Sequence, residues 1–135
     1  SISALASKIS SFPLIREVMK KQQRMLVEEA RRSGSYQGAV LEGRDIGTVV
    51  FPKADFKFYV DASPKIRAKR RLIQLQECGE DANFVEILAA LNKRDYQDQN
   101  RKVAPLRAAE DAVIVDTGNL SATEVLEHLA ACVGE

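Results

Sequence analysis

Short apolar runs that alternate with capped helices are the feature that most constrains the fold of this chain. Three runs rich in branched and aromatic residues read GAVLEG, FKFYVDA and DAVIVDT, at residues 38–43, 56–62 and 111–117. Each run is bounded by glycine, proline or charge, which is typical of strands. Because apolar strands that alternate with helices usually pack as a parallel sheet covered by helices, the pattern predicts an α/β fold with a mostly parallel, buried sheet.

Four helices are predicted from their start signals. Residues 13–33 open with Pro13, carry apolar side chains at helical spacing and end before Gly34. The other three helices each follow a capping side chain, namely Ser63 before Pro64, Asn83 three residues before Glu86, and Ser121 three residues before Glu124. The predicted order is therefore helix, strand, strand, helix, helix, strand, helix.

Composition limits the possible partners. The 135 residues are enough for one domain with one core, and 45% of them are apolar while 29% are charged. Twenty basic residues against nineteen acidic ones give a net charge of +1, so no global field attracts the chain to nucleic acid or to a membrane. Any basic site must be local.

The location and redox state are predicted from what the sequence lacks. No apolar run is long enough to cross a bilayer and no leader is recognised, so we expect a cytoplasmic protein. Cys78 and Cys132 show no CxxC spacing, which predicts reduced thiols and no metal site. The first residue is serine, which fits a processed terminus, a tag remnant or a piece of something longer.

An Arg-Asp pair stands between two glycines just after the first strand-like run. Arg44 offers a planar fork of donors that fits phosphate or carboxylate, and Asp45 offers acceptors for an exocyclic amine. Gly43 and Gly47 let the backbone bend and a ligand approach. Ligands of parallel sheets bind at the carboxyl ends of strands, which favours a ligand site here, although a surface turn is the alternative.

Two further charged patterns also allow two interpretations each. Arg94, Asp98 and Arg101 are spaced i, i+4 and i+7, as in an ion-pair ladder along a helix or in a carboxylate between two phosphate-binding arginines. The segment KIRAKRR, residues 65–71, has five basic residues in seven. It is interpreted as a solvated face, as a flap over a polyphosphate, or as a nucleic-acid patch, against which the lack of interleaved aromatics counts.

Several segments closely resemble bacterial cytidylate kinases, the P-loop nucleoside-monophosphate kinases that phosphorylate CMP and dCMP. These segments are ASKISSFPLIRE, QQRM, GAVLEGRDIGTVVFP, FKFYVDASPKIRAKRRLIQLQ, NFVEILAALNKRDYQDQNRKVAPL and AVIVDTGNLSATEVLE. The resemblance covers essentially the whole chain, and GRDIGTVVFP, RD-x-x-D-x-x-R and APL are its most specific parts. It implies a partial P-loop NTPase-type three-layer α/β/α fold with a mostly parallel sheet.

The resemblance also implies roles for individual residues. Ser7, Arg16 and Asp45 would hold cytosine, whose N4 amino group donates to a carboxylate. Arg44 would contact the nucleotide phosphate. Ribose and phosphate would be surrounded by Arg94, Asp98 and Arg101, while Arg67, Arg70 and Arg71 would belong to the lid that closes over ATP. The residues expected to act in catalysis are Arg44, Arg70, Arg71 and Arg94.

One family motif is absent from these residues. None of the seven glycines is followed by lysine, so the chain has no G-x-x-x-x-G-K-[ST] loop to hold ATP. The resemblance therefore implies that residues 1–135 are a single C-terminal portion of a kinase core, with a lid at about residues 66–83, and that the first strand and the P-loop are missing.

That departure limits what the chain is expected to do. The intact enzyme would use ATP and Mg²⁺, but we expect this chain alone to be inactive and to self-associate through its incomplete sheet. The partners implied are CMP, dCMP and ATP. The alternative hypotheses are a nucleotide-binding fragment without catalysis and a small RNA-binding protein that uses KIRAKRR.

Overall fold

The structure is a computed structural model that describes residues 2–134, except for the side chains of Ser3 and Ala4. The described residues fall into two compact units. The first lies within Ser1–Ala54 and Gln97–Arg107, and the second within Asp55–Tyr96 and Ala108–Glu135. The expected single kinase core with a lid at residues 66–83 stays a prediction.

The first unit is mainly helical. Helix α1 spans Ile2–Ile9 and helix α2 spans Pro13–Ser33. The predicted start of α2 at proline is confirmed, and so is its end, because Gly34 adopts a left-handed φ of 66° that glycine tolerates best. Helix α1 was not predicted, since its sequence carries no recognisable start signal.

Residues 38–43, predicted to be a strand, form no regular structure. A strand needs a neighbour for its backbone N–H and C=O groups, and within residues 2–134 the only strand pairing joins two other segments. Val40 is accordingly 103% exposed. The Arg44-Asp45 pair therefore does not lie at the carboxyl end of a sheet strand, and that part of the sequence argument was wrong.

The second unit contains the sheet. Strand β1 spans Phe58–Asp61 and strand β2 spans Val113–Asp116, and they pair in parallel from Phe58↔Val113 to Asp61↔Asp116. Helices α3 (Pro64–Glu77) and α4 (Phe84–Asn100) follow β1 in the sequence and helix α5 (Ala122–Val133) follows β2, while the last residues of α4 belong to the first unit. An α/β fold with a small parallel sheet is thus confirmed.

The predicted caps form at all three helices. The Ser63 hydroxyl accepts from the backbone N–H of Ile66 at 3.4 Å. Asn83 Oδ1 accepts from Val85 N at 2.9 Å and from Glu86 N at 3.2 Å. Ser121 and Glu124 form a complete capping box, in which each side chain accepts from the other residue's backbone N–H. The start signals in the sequence therefore set the helix boundaries correctly.

The strands are less buried than their composition predicts. Of β1 and β2, only Val115 is fully buried, whereas Val60 is 55% and Ile114 is 59% exposed. The buried apolar residues elsewhere are Val50 in the first unit and Ala62 and Ala68 in the second. A two-stranded sheet is too small for neighbouring elements to bury both of its faces, so the prediction of a buried sheet was wrong for the part of the chain described.

No helix within residues 2–134 is long and apolar enough to cross a membrane.

Replacing Ser121 by alanine should lower the free energy of unfolding by about 1 kcal/mol, because the α5 N-terminus loses its side-chain acceptor. Glycine at the same position should cost only a few tenths of a kcal/mol, because it leaves the backbone open to water. Urea unfolding followed by circular dichroism measures both changes. Equal stability of the wild type and the alanine variant would contradict the role of this cap.

Candidate functional site

A buried carboxylate at the end of α4 is the centre of a charged cluster in the first unit. Asp98 is 2% exposed, and its Oδ2 accepts a hydrogen bond from Arg44 Nε at 2.8 Å. Its Oδ1 accepts from the Ser7 hydroxyl at 3.2 Å and lies 3.8 Å from a terminal nitrogen of Arg101. Because a buried carboxylate is stable only with charged or hydrogen-bonding partners, Asp98 holds these three side chains together.

A second ion pair orients the acidic member of the Arg44-Asp45 pair. The Asp45 carboxylate bonds a terminal nitrogen of Arg16, and each side chain is only 13% exposed. Arg16 also donates to the backbone carbonyl of Ser10 at 3.1 Å. Helix α2 thereby fixes Asp45 through a charged contact that is largely shielded from solvent.

The backbone of Asp45 is held as firmly as its side chain. Its carbonyl accepts from Val49 N at 2.9 Å and from Val50 N at 3.2 Å, and Phe51 N donates to Ile46 O at 2.7 Å. These bonds define a π-helical turn over Ile46–Val50, a rare conformation found frequently at functional sites. No residue pattern in the sequence predicts this turn.

Arg101 lies just beyond α4, which ends at Asn100, rather than on the helix face that its spacing suggested. Its Nε donates to the carbonyl of Ala104, a residue with a left-handed φ of 48° that is unfavourable for alanine. Its second terminal nitrogen is buried and has no hydrogen-bond partner among the described residues. The guanidinium therefore keeps a donor that none of the described residues satisfies.

Burial lowers the pKa of Arg101, and the charges of Arg16 and Arg44 lower it further. The carboxylates Asp98 and Asp45 oppose this by attracting the positive charge. Three guanidinium groups thus share two carboxylates, which leaves one excess positive charge in the cluster. Such an arrangement is suited to an anion that carries hydrogen-bond acceptors.

Six of the seven predicted substrate residues meet in this cluster: Ser7, Arg16, Arg44, Asp45, Asp98 and Arg101. The seventh, Arg94, is half-buried on the part of α4 that belongs to the second unit.

The three arginines predicted to cover ATP have different surroundings in the second unit. Arg67 donates to Ala62 O at 2.9 Å and pairs with Asp95 at 2.6 Å. Arg70 bonds the Thr117 hydroxyl at 2.9 Å, the Thr117 carbonyl and the Leu120 carbonyl. Arg71 is exposed and bonds Gln74 at 2.7 Å.

These contacts bring two of the three arginines to the carboxyl ends of the strands, since Ala62 follows β1 and Thr117 follows β2. Parallel sheets bind ligands at that edge. The solvated basic face that is one interpretation of KIRAKRR is correspondingly reduced, because Arg67 and Arg70 donate to protein acceptors. That observation weakens the case for a nucleic-acid patch.

Other possible chemistry has less support. Within residues 2–134, no group of three or more His, Cys, Asp or Glu is placed to hold a metal ion. Cys78 and Cys132 are free and exposed.

Three residues that shape the charged regions were not predicted from the sequence: Arg24, Asp95 and Thr117. Each lies in a segment that carries the family resemblance, namely QQRM for Arg24, RD-x-x-D-x-x-R for Asp95 and AVIVDTGNLSATEVLE for Thr117.

Comparison with known proteins agrees with the resemblance seen in the sequence. The family model for cytidylate kinase matches residues 1–135. Among curated relatives, the chain is 50% identical to a cytidylate kinase of Nitratidesulfovibrio vulgaris over 119 residues, which is 88% of this chain and 48% of the relative. It is 44% identical over 135 residues to that of Geobacter sulfurreducens, covering 100% of this chain and 55% of the relative.

A third relative, the cytidylate kinase of Proteus mirabilis, is 45% identical over 131 residues, which is 97% of this chain and 55% of the relative. The chain thus spans about half the length of the curated relatives it matches. Because the family match extends from the first residue to the last, the chain belongs to the cytidylate kinase family.

Proposed function

We propose that the charged cluster of the first unit binds the nucleoside monophosphate when the intact enzyme transfers phosphate from ATP to CMP or dCMP and forms CDP or dCDP. The observation that carries this proposal is the buried Arg101 guanidinium, which keeps an unused donor amid an excess of positive charge. A nucleotide phosphate supplies both the negative charge and the acceptor oxygens that such a group lacks.

The phosphate is assigned to the arginines around Asp98. Arg44 bonds Asp98 through Nε and is 43% exposed, so its terminal nitrogens can donate to an incoming anion. Arg101 approaches from the loop after α4 with its buried donor. Asp98 sets the direction of both guanidiniums and can accept from a ribose hydroxyl, and the family resemblance adds Arg94 to this group.

The cytosine base is assigned to Asp45 with Ser7 and Arg16. The Asp45 carboxylate already accepts from Arg16, but a carboxylate has about four acceptor positions, so it can also accept from the N4 amino group of cytosine. Uracil has a carbonyl oxygen in place of the N4 amino group, and the partial negative charge of that oxygen would be repelled by the Asp45 carboxylate. The assignment therefore explains why a cytidine nucleotide would be preferred to a uridine nucleotide.

The ATP side of the reaction is assigned to Arg67, Arg70 and Arg71 by resemblance. When ATP is bound, it supplies the phosphoryl group, and arginines near the transferred group stabilise its charge. Arg67 and Arg70 would first exchange their bonds to Asp95 and Thr117 for bonds to phosphate oxygens. Together with Arg44 and Arg94, Arg70 and Arg71 are the proposed catalytic residues. The described residues gather no carboxylate group that fits Mg²⁺, so no step is assigned to that ion.

Self-association is proposed as a property of the isolated chain. Strands β1 and β2 form a two-stranded sheet in the part of the chain described, and apolar side chains such as Val60 and Ile114 are more than half exposed. Unpaired strand edges and exposed apolar surface favour contacts between copies.

Replacing Asp45 by asparagine should weaken CMP binding roughly tenfold, because the amide lacks the negative charge that pairs with Arg16 and strengthens the hydrogen bond from the cytosine N4 amino group. Isothermal titration calorimetry of the 135-residue chain with CMP, UMP and AMP measures this. The exposed Asp55 of the second unit provides a matched control, and its asparagine variant should bind CMP as the wild type does. Unchanged CMP affinity in the Asp45 variant would reject the assignment of this carboxylate to the base.

The chain alone should have no measurable kinase turnover. In-line transfer depends on a loop that holds the phosphates of ATP, and residues 1–135 contain no Gly-Lys pair from which a P-loop could be built. A coupled assay for ADP, with CMP present and with CMP omitted, measures the activity. Formation of ADP that depends on CMP would contradict this expectation.

A further inference from the structure

Arg24 has no part in the proposed chemistry, yet it bonds the turn that presents Asp45. Its Nε donates to the carbonyl of Val50 at 2.9 Å, and a terminal nitrogen donates to the carbonyl of Val49 at 3.2 Å. One planar guanidinium thus bonds two consecutive backbone oxygens, a geometry that lysine cannot reproduce with its single nitrogen.

Those two carbonyls close the π-helical turn Ile46–Val50. The last carbonyls of a helical segment have no partner within that segment and need one from elsewhere. A positive charge is favourable at this end because the peptide dipoles place partial negative charge there. Arg24 supplies both the hydrogen bonds and the charge, and so stabilises a turn that is otherwise rare.

Backbone hydrogen bonds connect the π-helical turn to Asp45. The carbonyl of Asp45 is the acceptor for the N–H groups of Val49 and Val50, the residues whose own carbonyls Arg24 holds. If Val49 and Val50 move, the peptide group of Asp45 moves with them. The orientation of the Asp45 carboxylate therefore depends on the far end of the turn.

Helix α2 holds this segment at two points. Arg16 bonds the Asp45 carboxylate at the start of the turn, and Arg24 bonds the carbonyls at its end. The two arginines are eight residues apart, which is roughly 12 Å along the helix at 1.5 Å per residue. A contact at each end fixes the direction of the segment as well as its position.

We propose that Arg24 is a positioning residue that fixes Asp45 for recognition of the pyrimidine base. This inference rests on the proposed function, because it takes Asp45 as the group that reads the base. Arg24 acts through the backbone of the turn and does not touch the nucleotide.

A double-mutant cycle tests the inference in the 135-residue chain. The variants are Arg24→Leu, Arg24→Lys, Asp45→Asn and the double variant with Arg24→Leu, and the matched control is Arg32→Leu, which removes an exposed arginine from the same helix. Two quantities are measured, namely the dissociation constant for CMP by calorimetry and the hydrogen-exchange rates of the Val49, Val50 and Phe51 amides.

Arg24→Leu should weaken CMP binding about tenfold, which corresponds to the coupling energy expected between residues in one contact network. Arg24→Lys should weaken CMP binding less, and Arg32→Leu should leave it unchanged. In the Asp45→Asn background the same Arg24→Leu change should have almost no further effect, because Arg24 acts through Asp45. An equal loss in both backgrounds, or no loss at all, would overturn the inference.

The exchange rates separate this inference from the proposed function. If the wild-type chain binds no CMP, the proposed function fails, and the exchange data alone decide the role of Arg24. Faster exchange confined to residues 49–51 in Arg24→Leu supports positioning of the turn. Unchanged exchange there, or an increase spread evenly along α2, overturns it, since an even increase indicates a general loss of stability.

Discussion

The buried carboxylate of Asp98 is the constraint on which the first unit depends. Removing a carboxylate from water costs several kcal/mol, and the cost is offset only if cationic and hydrogen-bonding partners surround it. Ser7 comes from α1, Arg44 from the segment before the π-helical turn, and Arg101 from the loop after α4. Three segments far apart in the sequence are thereby drawn to one point. Val50 is the buried apolar residue among those described in this unit, so charged and hydrogen-bonded contacts are prominent in joining its segments.

The burial of Asp98 among arginines also sets the charge balance of the candidate site. Asp98 and Asp45 neutralise two of the three arginines Arg16, Arg44 and Arg101, and a buried donor of Arg101 has no acceptor among the described residues. Burial and the charges of Arg16 and Arg44 lower the pKa of Arg101, while Asp98 and Asp45 raise it. In the function proposed above, a phosphate ester supplies an acceptor for the buried Arg101 donor and the neighbouring Asp45 reads the base attached to it. On that proposal, structural stability and ligand binding use the same side chains.

The sequence predicted what local signals encode. Helix α2 and the capped starts of α3, α4 and α5 were correct because proline, glycine and capping side chains act within a few residues. The parallel pairing of β1 with β2 was also correct. The prediction of a strand at residues 38–43 was wrong because strand propensity alone does not provide a neighbouring strand for the backbone hydrogen bonds. The π-helical turn and its bond to Arg24 were missed because they arise from contacts between α2 and a segment more than twenty residues away. The family resemblance, rather than spacing, brought Ser7 and Arg16 into the candidate site.

The most direct test of the central claim is a CMP titration followed by NMR of the arginine side-chain N–H groups. The cluster should behave as one binding site, so the signals of Arg16, Arg44 and Arg101 should shift together with a single dissociation constant. Arg67 and Arg70 of the second unit, which bond protein acceptors, provide internal references and should not shift with CMP alone. Shifts confined to Arg67 and Arg70, or the absence of any shift at saturating CMP, would contradict the account.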